Sequence, residues 1–550
     1  MRFRLRMNRS LLPLVSALAI LPPIAFGQSA TLPPRSSSTT SFRVAGTVVS
    51  KTDGHPLAGA RVSLASVKNR QQQESIVTSD DGKFEFTSVP PGKFSLNGAH
   101  RGFISAGYDQ HDQYSSAIVT GVAIDTENLL LKLAPRAVIS GRVLDESGEP
   151  IRHARITLYS DSHQEGMHRI LPSHNGQTDD LGAYEVPLLN PGTYYLSVDA
   201  QPWYAVHPEQ DSAQLQTAAD PALDVAYPIT YYPDVIDPDS AAPISIQGGE
   251  HLQLDLHVSP VPSLRIIIHV PGSPSHQFPF PQLDQTAFGD SVPTLNTAAH
   301  MISPGTWELS GIAAGHYNVR LMGASTGSEI RGLDLSSNQE LDASAGEAMG
   351  TVKASVTLPE SVNATQFFLV LRSKNRTFPG FVQPDSKGKV VFENVPAGRY
   401  EVMVGAAGRA YSIAQISAEG AEVSGHSITL APGASASLSV TTSVGSAEVQ
   451  GIAKQAGKGF SGAMVVLVPK NPEGNRDLFR RDQSDLDGTF VFHRVVPGSY
   501  NVVAIENGWD LDWAQPEIIA AYAKRGVPVQ VTDKADQNLT LPSGIQVQPK

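Results

Sequence analysis

One pattern of glycine, aromatic and aliphatic residues occurs five times in the chain with the same internal spacing. The copy at residues 485–503 reads Asp-Leu-Asp-Gly-Thr-Phe-Val-Phe-His-Arg-Val-Val-Pro-Gly-Ser-Tyr-Asn-Val-Val. Apolar residues alternate with others between the two glycine-containing turns, as they do in antiparallel strands that bury one face. Glycine after aspartate supplies the positive φ angle of a tight hairpin turn. The pattern therefore predicts hairpin turns and core strands in each copy.

In each copy, two glycines stand ten residues apart, an aromatic residue follows two positions later, and an aliphatic residue two positions after that. The first glycines are Gly82, Gly182, Gly305, Gly388 and Gly488. The second glycines are Gly92, Gly192, Gly315, Gly398 and Gly498. The aromatic residues are Phe94, Tyr194, Tyr317, Tyr400 and Tyr500, and the aliphatic ones are Leu96, Leu196, Val319, Val402 and Val502. Because the distance between copies varies, the repeat favours five separate domains over a stacked solenoid.

The pattern Asp-Gly-x-Phe-x-Phe-x-x-Val-x-Pro-Gly-x-Tyr-x-Val resembles the carboxypeptidase regulatory-like domain, a small transthyretin-like β-sandwich. That domain is related in fold to collagen-adhesin B-type repeats and to starch-binding modules. The match is strong in the first, second and fifth copies and weakest in the third, where Ser303-Pro304-Gly305 replaces the acidic turn. The resemblance implies an all-β chain, a tandem array of about five antiparallel Ig-like or transthyretin-like sandwiches. The family is defined by fold, so it implies architecture more than function.

These patterns divide the chain into a signal peptide, a linker and five sandwiches. The predicted bounds are 1–27 for the signal peptide, 28–41 for a Ser/Thr/Pro-rich linker, and 42–135, 136–260, 261–345, 346–440 and 441–550 for the sandwiches. The second sandwich carries an aromatic insertion at 201–242, and the third is the most degenerate. Proline at the start and glycine after the end predict one short helix at 516–524. We expect the five sandwiches to lie in a row.

The N-terminal segment has the composition of a secretory signal. Four arginines precede an apolar run from Leu11 to Ile20, and Ala25-Phe26-Gly27 offers small residues to a signal peptidase. A membrane anchor is less favoured, because prolines interrupt a run that is already short for a bilayer. We therefore predict cleavage near Gly27, no transmembrane anchor afterwards, and an extracytoplasmic location that is periplasmic, on the outer surface or secreted.

Composition and missing motifs argue against several classes of function. The net charge is −12 without basic blocks, which makes a nucleic-acid partner unfavourable. The chain has no cysteine, which excludes disulfides, thiolate metal sites and a cysteine nucleophile. It has 16 histidines but no His-Glu-x-x-His, no Gly-x-Ser-x-Gly and no phosphate-binding loop. We therefore predict a chain that is not an enzyme and has no catalytic residue, metal site or cofactor.

Acidic residues cluster in the turns of the repeat. The group Asp482, Asp485 and Asp487 lacks the alternating ligands and closing glutamate of a calcium loop. We interpret it as a hairpin turn with solvated carboxylates, and we interpret Asp80-Asp81 and Asp179-Asp180 in the same way.

Two stretches carry aromatic residues that the sandwich cores do not need. The candidate ligand-binding residues are Trp203, Tyr204, Tyr231 and Tyr232 in the insertion, and Trp509 and Trp513 beside Asp510 and Asp512. Sugar rings stack on flat aromatic rings while acids and amides bind their hydroxyls, so this combination favours a glycan. The alternative is that the insertion aromatics anchor their loop and that the two tryptophans pack the short helix onto the fifth sandwich.

Two classes of function remain open. The first is an exported, non-catalytic protein that binds a glycan. The second is a cell-surface or periplasmic scaffold or accessory protein that binds cell-surface or secreted protein partners, or a regulatory module of a secreted peptidase system.

Overall fold

The structure is a computed structural model, and it describes most of the chain after residue 40. The described residues are 41–69, 71–121, 124–163, 166–207, 220–270, 278–294, 297–322, 328–358, 367–373, 376–406, 411–532, 534 and 537–550. The predicted signal peptide and all but the last residue of the predicted linker lie outside them. Residues 41–550 form one compact unit.

The strands of this unit form five pairs of sheets, here called sandwiches 1 to 5. Sandwich 1 contains β1 (Phe42–Ser50), β2 (Arg61–Ser66), β3 (Gln73–Val77), β4 (Lys83–Val89), β5 (Gly92–Ala99), β6 (Ala106–Gly107), β7 (Ile118–Thr120) and β8 (Leu129–Leu133). Sandwich 2 contains β9 (Ala137–Leu144), β10 (Arg155–Ser162), β11 (Arg169–Gln177), β12 (Ala183–Leu189), β13 (Gly192–Asp199), β14 (Val225–Ala226), β15 (Thr230–Tyr231), β16 (Ile244–Ile246), β17 (His251–Gln253) and β18 (Leu256–His257). The short β19 (Val261–Pro262) follows and pairs with β14.

The other three sandwiches follow in chain order. Sandwich 3 contains β20 (Leu264–His269), β21 (Phe280–Ala287), β22 (Asp290–Pro293), β23 (Ala298–Ser303), β24 (Thr306–Ile312), β25 (Gly315–Met322), β26 (Ser328–Leu335), β27 (Gln339–Asp342) and β28 (Glu347–Ala348). Sandwich 4 contains β29 (Gly350–Thr357), β30 (Phe367–Ser373), β31 (Arg376–Val382), β32 (Lys389–Val395), β33 (Gly398–Ala406), β34 (Tyr411–Glu419), β35 (Glu422–Ser424), β36 (Ser427–Leu430) and β37 (Ser435–Val444). Sandwich 5 contains β38 (Ala447–Gln455), β39 (Lys458–Gly459), β40 (Met464–Pro469), β41 (Arg480–Gln483), β42 (Thr489–Val495), β43 (Gly498–Ile505), helix α1 (Pro516–Ala523), β44 (Val527–Val531), β45 (Asn538–Thr540) and β46 (Ile545–Gln548).

The same topology recurs in every sandwich. The first strand pairs in an antiparallel manner with the strand after the first repeat glycine and in a parallel manner with a strand near the end of the sandwich. In the opposite sheet, the strand that carries the repeat aromatic pairs in an antiparallel manner with the second strand of the sandwich, or with the third strand, β40, in sandwich 5. An apolar core fills the space between each pair of sheets. The predicted all-β tandem fold is thus confirmed, with at least one parallel pairing in each sandwich that the sequence did not indicate.

The first repeat glycine has the same structural role in each copy. Its φ angle lies between 68° and 84° in all five, a region that L side chains rarely adopt. A Cβ atom at these positions would lie 2.5–2.9 Å from a carbonyl oxygen of the first strand or, at Gly305, of Val270 directly after that strand. The glycine carbonyl accepts a hydrogen bond of 2.7–2.9 Å from the same residue. Glycine is therefore required by both the backbone angle and the close approach of the first strand.

The repeat aromatics lie in the cores, as predicted. Their exposed fractions are 2–8%, and burial of such a ring contributes about 2–3 kcal/mol. Each tyrosine hydroxyl donates to the backbone carbonyl four residues earlier, over 2.7–3.0 Å. The acceptors are Asn190, Ala313, Pro396 and Val496. This bond ties the aromatic strand to the turn that precedes it and satisfies the buried hydroxyl.

The prediction of hairpin turns is confirmed at Gly305, where β23 and β24 pair with each other across the turn, and it is wrong for the other turns of the repeat. The strands on the two sides of each Pro-Gly or equivalent turn belong to opposite sheets, as β4 and β5 show. In sandwiches 1, 2, 4 and 5 the strands before and after the first repeat glycine likewise do not pair with each other, as β3 and β4 show. Alternation of apolar residues indicates that a strand buries one face, but it does not identify the strand's hydrogen-bonded neighbour. Except for the hairpin at Gly305, these turns are therefore crossings between sheets.

Sandwich 5 departs from the others after its aromatic strand. The predicted helix is present as α1, with Pro516 in its first turn. The final strand, β46, pairs in a parallel manner with both β38 and β43 and so joins the two sheets. In the part of the chain that the structure describes, no helix is long and apolar enough to cross a membrane.

Sandwich 5 also contacts sandwich 1, which is farthest from it in the sequence. Lys93 Nζ lies 2.6 Å from Asp485 Oδ2, and Ser116 Oγ donates to the Ser484 carbonyl over 2.9 Å. Leu486 packs against the core of sandwich 1. The sandwiches follow one another in chain order, but this contact means that they do not form an open row.

Candidate functional site

Trp513 lies between α1 and the outer face of the strands β40 and β43 of sandwich 5. Its side chain is 8% exposed and packs in a cluster with Phe479 and with Ile519 of α1. Gly166 of sandwich 2 lies on the ring, because a Cβ atom there would be 2.7 Å from two of its atoms. The ring therefore packs α1 onto the sandwich, in agreement with the alternative interpretation, and it has no open face for a sugar.

Trp509 lies between sandwiches 5 and 1. Its ring stacks on His111 with centroids 5.0 Å apart and an interplanar angle of 5°, and it lies 5.8 Å from Tyr114. Its Nε1 donates to the Gly462 carbonyl over 3.3 Å. His111 and Tyr114 come from sandwich 1, so Trp509 forms part of the contact that joins the two sandwiches.

A buried arginine lies among these rings. The guanidinium carbon of Arg481 is 5.0, 5.3 and 5.1 Å from the ring centroids of Tyr114, Trp509 and Trp513. Its Nη2 donates to Asp112 Oδ2 over 3.0 Å. A cation over aromatic faces is stabilised electrostatically, and more strongly where water is excluded. The aromatic residues of this stretch thus hold a cation of the chain itself.

The two predicted acids of this stretch bind neighbouring residues. Asp510 forms an ion pair with Lys550, which lowers the pKa of Asp510 through a hydrogen bond. Asp512 accepts a hydrogen bond from Gln515 Nε2 over 2.8 Å, and its Oδ1 lies 3.7 Å from His163 Nε2 of sandwich 2. Asp512 therefore contacts the residue that precedes α1 and contributes to the contact with sandwich 2.

Trp509 and Asp510 nevertheless border an open cleft of about 470 Å³ at the junction of sandwiches 1, 2 and 5. The other lining residues are His111, Asp112, Asp161, Ser162, His163 and Asn507. The cleft combines aromatic edges with carboxylates and an amide, which is the composition expected of a polar ligand site.

Two of the four insertion aromatics are anchors. Tyr231 is 2% exposed and lies 5.8 Å from Phe288, which sandwich 3 inserts between sandwich-2 rings. Tyr159 and Tyr195 complete that pocket, with centroids 5.1 and 4.9 Å from Phe288. Burial raises the pKa of Tyr231. Tyr232 packs half-buried against the core of sandwich 2.

Trp203 and Tyr204 are the other two. Trp203 is 84% exposed. The Tyr204 hydroxyl donates to Glu146 Oε1 over 2.6 Å, and the Tyr227 hydroxyl donates to Glu146 Oε2 over 3.2 Å. Desolvation, together with the neighbouring Glu146 carboxylate, raises the pKa of Tyr204 to about 12. Residues 208–219 of the insertion lie outside the described residues.

Sequence reasoning missed the role of the acidic turn in sandwich 5. Asp485 is mostly buried: its Oδ2 pairs with Lys93 and its Oδ1 accepts from the Ala117 amide over 2.8 Å. Burial raises the pKa of Asp485, although Lys93 opposes the shift. Asp482 is also mostly buried, accepts from the Val491 amide over 2.8 Å, and has a pKa raised by burial to about 6. The prediction of solvated carboxylates is therefore wrong for this turn.

The other two acidic turns are exposed, as predicted. Asp80 and Asp81 in sandwich 1 and Asp179 and Asp180 in sandwich 2 all lie at the surface. The turn residues themselves do not separate these two turns from the acidic turn of sandwich 5. The signal that could have done so is the polar run Arg480–Ser484 before that turn, which is unusual for a core sheet.

A serine, a histidine and an aspartate meet where sandwich 4 contacts sandwich 5. Ser412 Oγ and His426 Nδ1 both bind Asp477, the latter over 2.6 Å. The described contacts include none between Ser412 and His426, and Ser412 is fully buried. An activated serine needs its base as a direct hydrogen-bond partner. This group therefore joins two sandwiches and does not form a nucleophile. Within the described ranges, no group of three or more His, Cys, Asp or Glu side chains is arranged to hold a metal ion.

Comparison with known proteins supports the first two copies of the repeat. Residues 43–124 and 138–226 match the family model of the carboxypeptidase regulatory-like domain. No curated protein matches the chain. The resemblance inferred from the repeat is thus confirmed in these two segments, while the similarity of the fifth copy stays a prediction.

Several solved structures are similar to parts of the chain. The Bacillus anthracis TIE protein is 12% identical, over 74% of this chain and 75% of that one, with a TM-score of 0.17. GBS52, the minor pilin of Streptococcus agalactiae, is 13% identical, over 42% and 99%, with a TM-score of 0.21. The shaft pilin SpaA from Lactobacillus rhamnosus GG is 10% identical, over 40% and 98%, with a TM-score of 0.19. TM-scores this low carry no argument about function.

Proposed function

We propose that this chain, whose residues 43–124 and 138–226 are carboxypeptidase regulatory-like domains, is an exported, non-catalytic β-sandwich protein that binds a glycan. The proposed domain bounds are those predicted from the sequence. The observation that carries the proposal is Trp203, a tryptophan ring that is 84% exposed on a turn held in place by its neighbours. Such a ring offers a flat apolar face to a sugar.

The turn around Trp203 is anchored on both sides. Pro202 is buried, and the Ala205 amide donates to the Pro202 carbonyl over 3.1 Å. Tyr204 is tied to Glu146, as described above. The Val206 amide donates to the Leu223 carbonyl over 2.8 Å. A platform whose backbone is ordered before binding loses little conformational freedom when it binds, which favours affinity.

The remaining predicted aromatics support a narrower role. Tyr231 and Trp513 are buried by packing and cannot contact a ligand. Trp203 is left as the exposed ring, and Trp509 borders the cleft at the junction of sandwiches 1, 2 and 5. We assign the primary glycan contact to Trp203 and keep Trp509 and Asp510 as a second candidate contact.

A glycan array with residues 28–550 tests the proposal. We expect binding to at least one class of glycan, and Trp203→Ala should weaken it about tenfold or more, because the stacking face is lost. Leu181→Ala is the matched control: Leu181 is 66% exposed on the same sandwich, and its loss should leave glycan binding unchanged. Both variants should keep the wild-type melting temperature. Undiminished binding by the Trp203→Ala variant would show that the glycan site does not include Trp203. Absence of glycan binding by the wild-type protein would contradict the proposed function.

A second candidate function is a scaffold for protein partners. The specific observation is that Val206 (47% exposed) and Leu223 (36% exposed) accompany Trp203 on the same insertion and form a small apolar patch. A protein partner would bury this patch. It would be favoured if the array is negative while Trp203→Ala abolishes a stoichiometric complex with a purified exported protein.

A further inference from the structure

A cleft of about 450 Å³ separates sandwich 3 from sandwich 4. Arg320, Arg331 and Asn318 line it on the sandwich-3 side, and Arg399 lines it on the sandwich-4 side, beside the turn that precedes Tyr400. No predicted site residue lies in this cleft. Three guanidinium groups on one cleft are noteworthy in a chain whose net charge is −12.

Two of these arginines are bound by other residues of the chain. Arg320 is 1% exposed and forms an ion pair with Asp284. Arg331 Nε lies 2.7 Å from Glu329 Oε2, and its Nη2 donates to the Ala397 carbonyl over 3.0 Å. These contacts balance the charge of both groups, and the Arg331 contact holds the 396–399 turn of sandwich 4 against sandwich 3.

Arg399 is different from the other two. It is exposed, and its guanidinium makes no hydrogen bond or ion pair with any residue that the structure describes. It lies at the end of the turn that Arg331 holds and within β33, so its backbone is fixed while its guanidinium has no ion-pair partner among the described residues. The charged residues in and behind the cleft are Arg320, Arg331, Arg399, Glu329 and Asp284, which leaves one net positive charge.

Neutral donors accompany this charge. Asn318 Oδ1 already accepts from the Gly332 amide over 2.9 Å, so the side-chain NH₂ of Asn318 supplies two donors. Thr286 adds a hydroxyl to the same lining. A planar guanidinium with neighbouring N–H and O–H donors matches the two oxygens of a carboxylate or sulfate. A neutral sugar hydroxyl would leave the charge uncompensated.

We propose that this cleft binds the acidic group of a glycan, a uronate carboxylate or a sulfate ester, with Arg399 as the residue that pairs with it. The inference rests on the proposed glycan-binding function and adds the class of glycan. Because the positive charge is exposed to solvent, binding should also weaken as salt increases.

Titration with oligogalacturonate, a sulfated galactan oligomer and a neutral galactan oligomer of similar length tests this inference. We expect wild-type protein to bind one of the two acidic oligomers more tightly than the neutral one. Arg399→Gln should weaken that binding about tenfold, because one charge-assisted pair is lost. Arg61→Gln, which removes an exposed arginine from sandwich 1, should leave it unchanged.

The outcomes separate the two proposals. Equal binding of all three oligomers, or undiminished binding of acidic oligomers by Arg399→Gln, overturns the acidic-group site and leaves glycan binding in place. Failure of the wild type to bind any of these or any arrayed glycan overturns both. Preference for uronate or for sulfate identifies the source of the charge. The Arg399→Gln protein must keep the wild-type melting temperature, which is expected because Arg399 has no partner to lose.

Discussion

At the scale of single residues, four of the five repeats share a position where the backbone turns left-handed six residues after the first glycine. The residues are Leu188, Gly311, Asn394 and Arg494, with φ angles of 67°, 76°, 56° and 58°. Each lies where the pairing with the first strand shifts register. A β-bulge of this kind re-aims the strand before it crosses to the opposite sheet.

Leu188→Asn should therefore stabilise sandwich 2 by about 0.5–1 kcal/mol, because asparagine tolerates this backbone region better than leucine does. Leu188 is 55% exposed, so little apolar burial is lost. Calorimetric melting of the full chain measures the effect. Leu181→Asn, at a position 66% exposed that lacks the left-handed angle, should give no gain. A lower melting temperature for Leu188→Asn would show that the side chain matters more than the angle.

At the scale of elements, α1 depends on a ring from the preceding loop. Trp513 fills the space between α1, Phe479 and Gly166. Trp513→Ala should cost about 3 kcal/mol or more of stability, since it leaves a cavity in a buried cluster. Denaturant unfolding measures this loss. Trp203→Ala removes the same atoms from an exposed site and should change stability little. An unchanged unfolding midpoint for Trp513→Ala would mean that the helix does not pack as described.

At the scale of the whole unit, sandwich 1 is joined to sandwich 5 by residues far apart in the chain. Ser116 Oγ and Ser461 Oγ are 3.3 Å apart, and the chain contains no cysteine. The double change Ser116→Cys and Ser461→Cys should therefore form a disulfide under mild oxidation, because the side chains already meet. Faster migration on a non-reducing gel, reversed by a reductant, detects the closed loop. The pair Ser116→Cys and Ser499→Cys should stay reduced, because Ser499 contacts Gln530 within sandwich 5. A persistently reduced first pair would contradict the contact.

The spacing of the repeat was sufficient to predict its strands, the turn glycines and the buried aromatics, while Pro516 and Gly526 predicted α1. These features are local: Gly488 needs its positive φ angle, and Tyr500 lies on the buried face of its strand, whatever lies beyond the sandwich. The alternation of apolar residues carries that information within about ten residues of sequence. It could not reveal that all but one of these turns, the hairpin at Gly305, cross between sheets, since a strand with one buried face can pair with several neighbours.

Only the tertiary structure decided what the other aromatic and acidic residues do. Trp509 and Asp485 have the sequence surroundings of exposed turns, and their partners, His111 and Lys93, lie nearly 400 residues away in the chain. No local pattern records such a contact, because its stability comes from two surfaces that meet only after both sandwiches have folded. Trp203 and Arg399 stay exposed because the packing of the sandwiches leaves both side chains open to solvent, although Arg399 borders the cleft between sandwiches 3 and 4. The sequence thus determined the sandwiches, and the packing of the sandwiches determined which side chains remained available to a ligand.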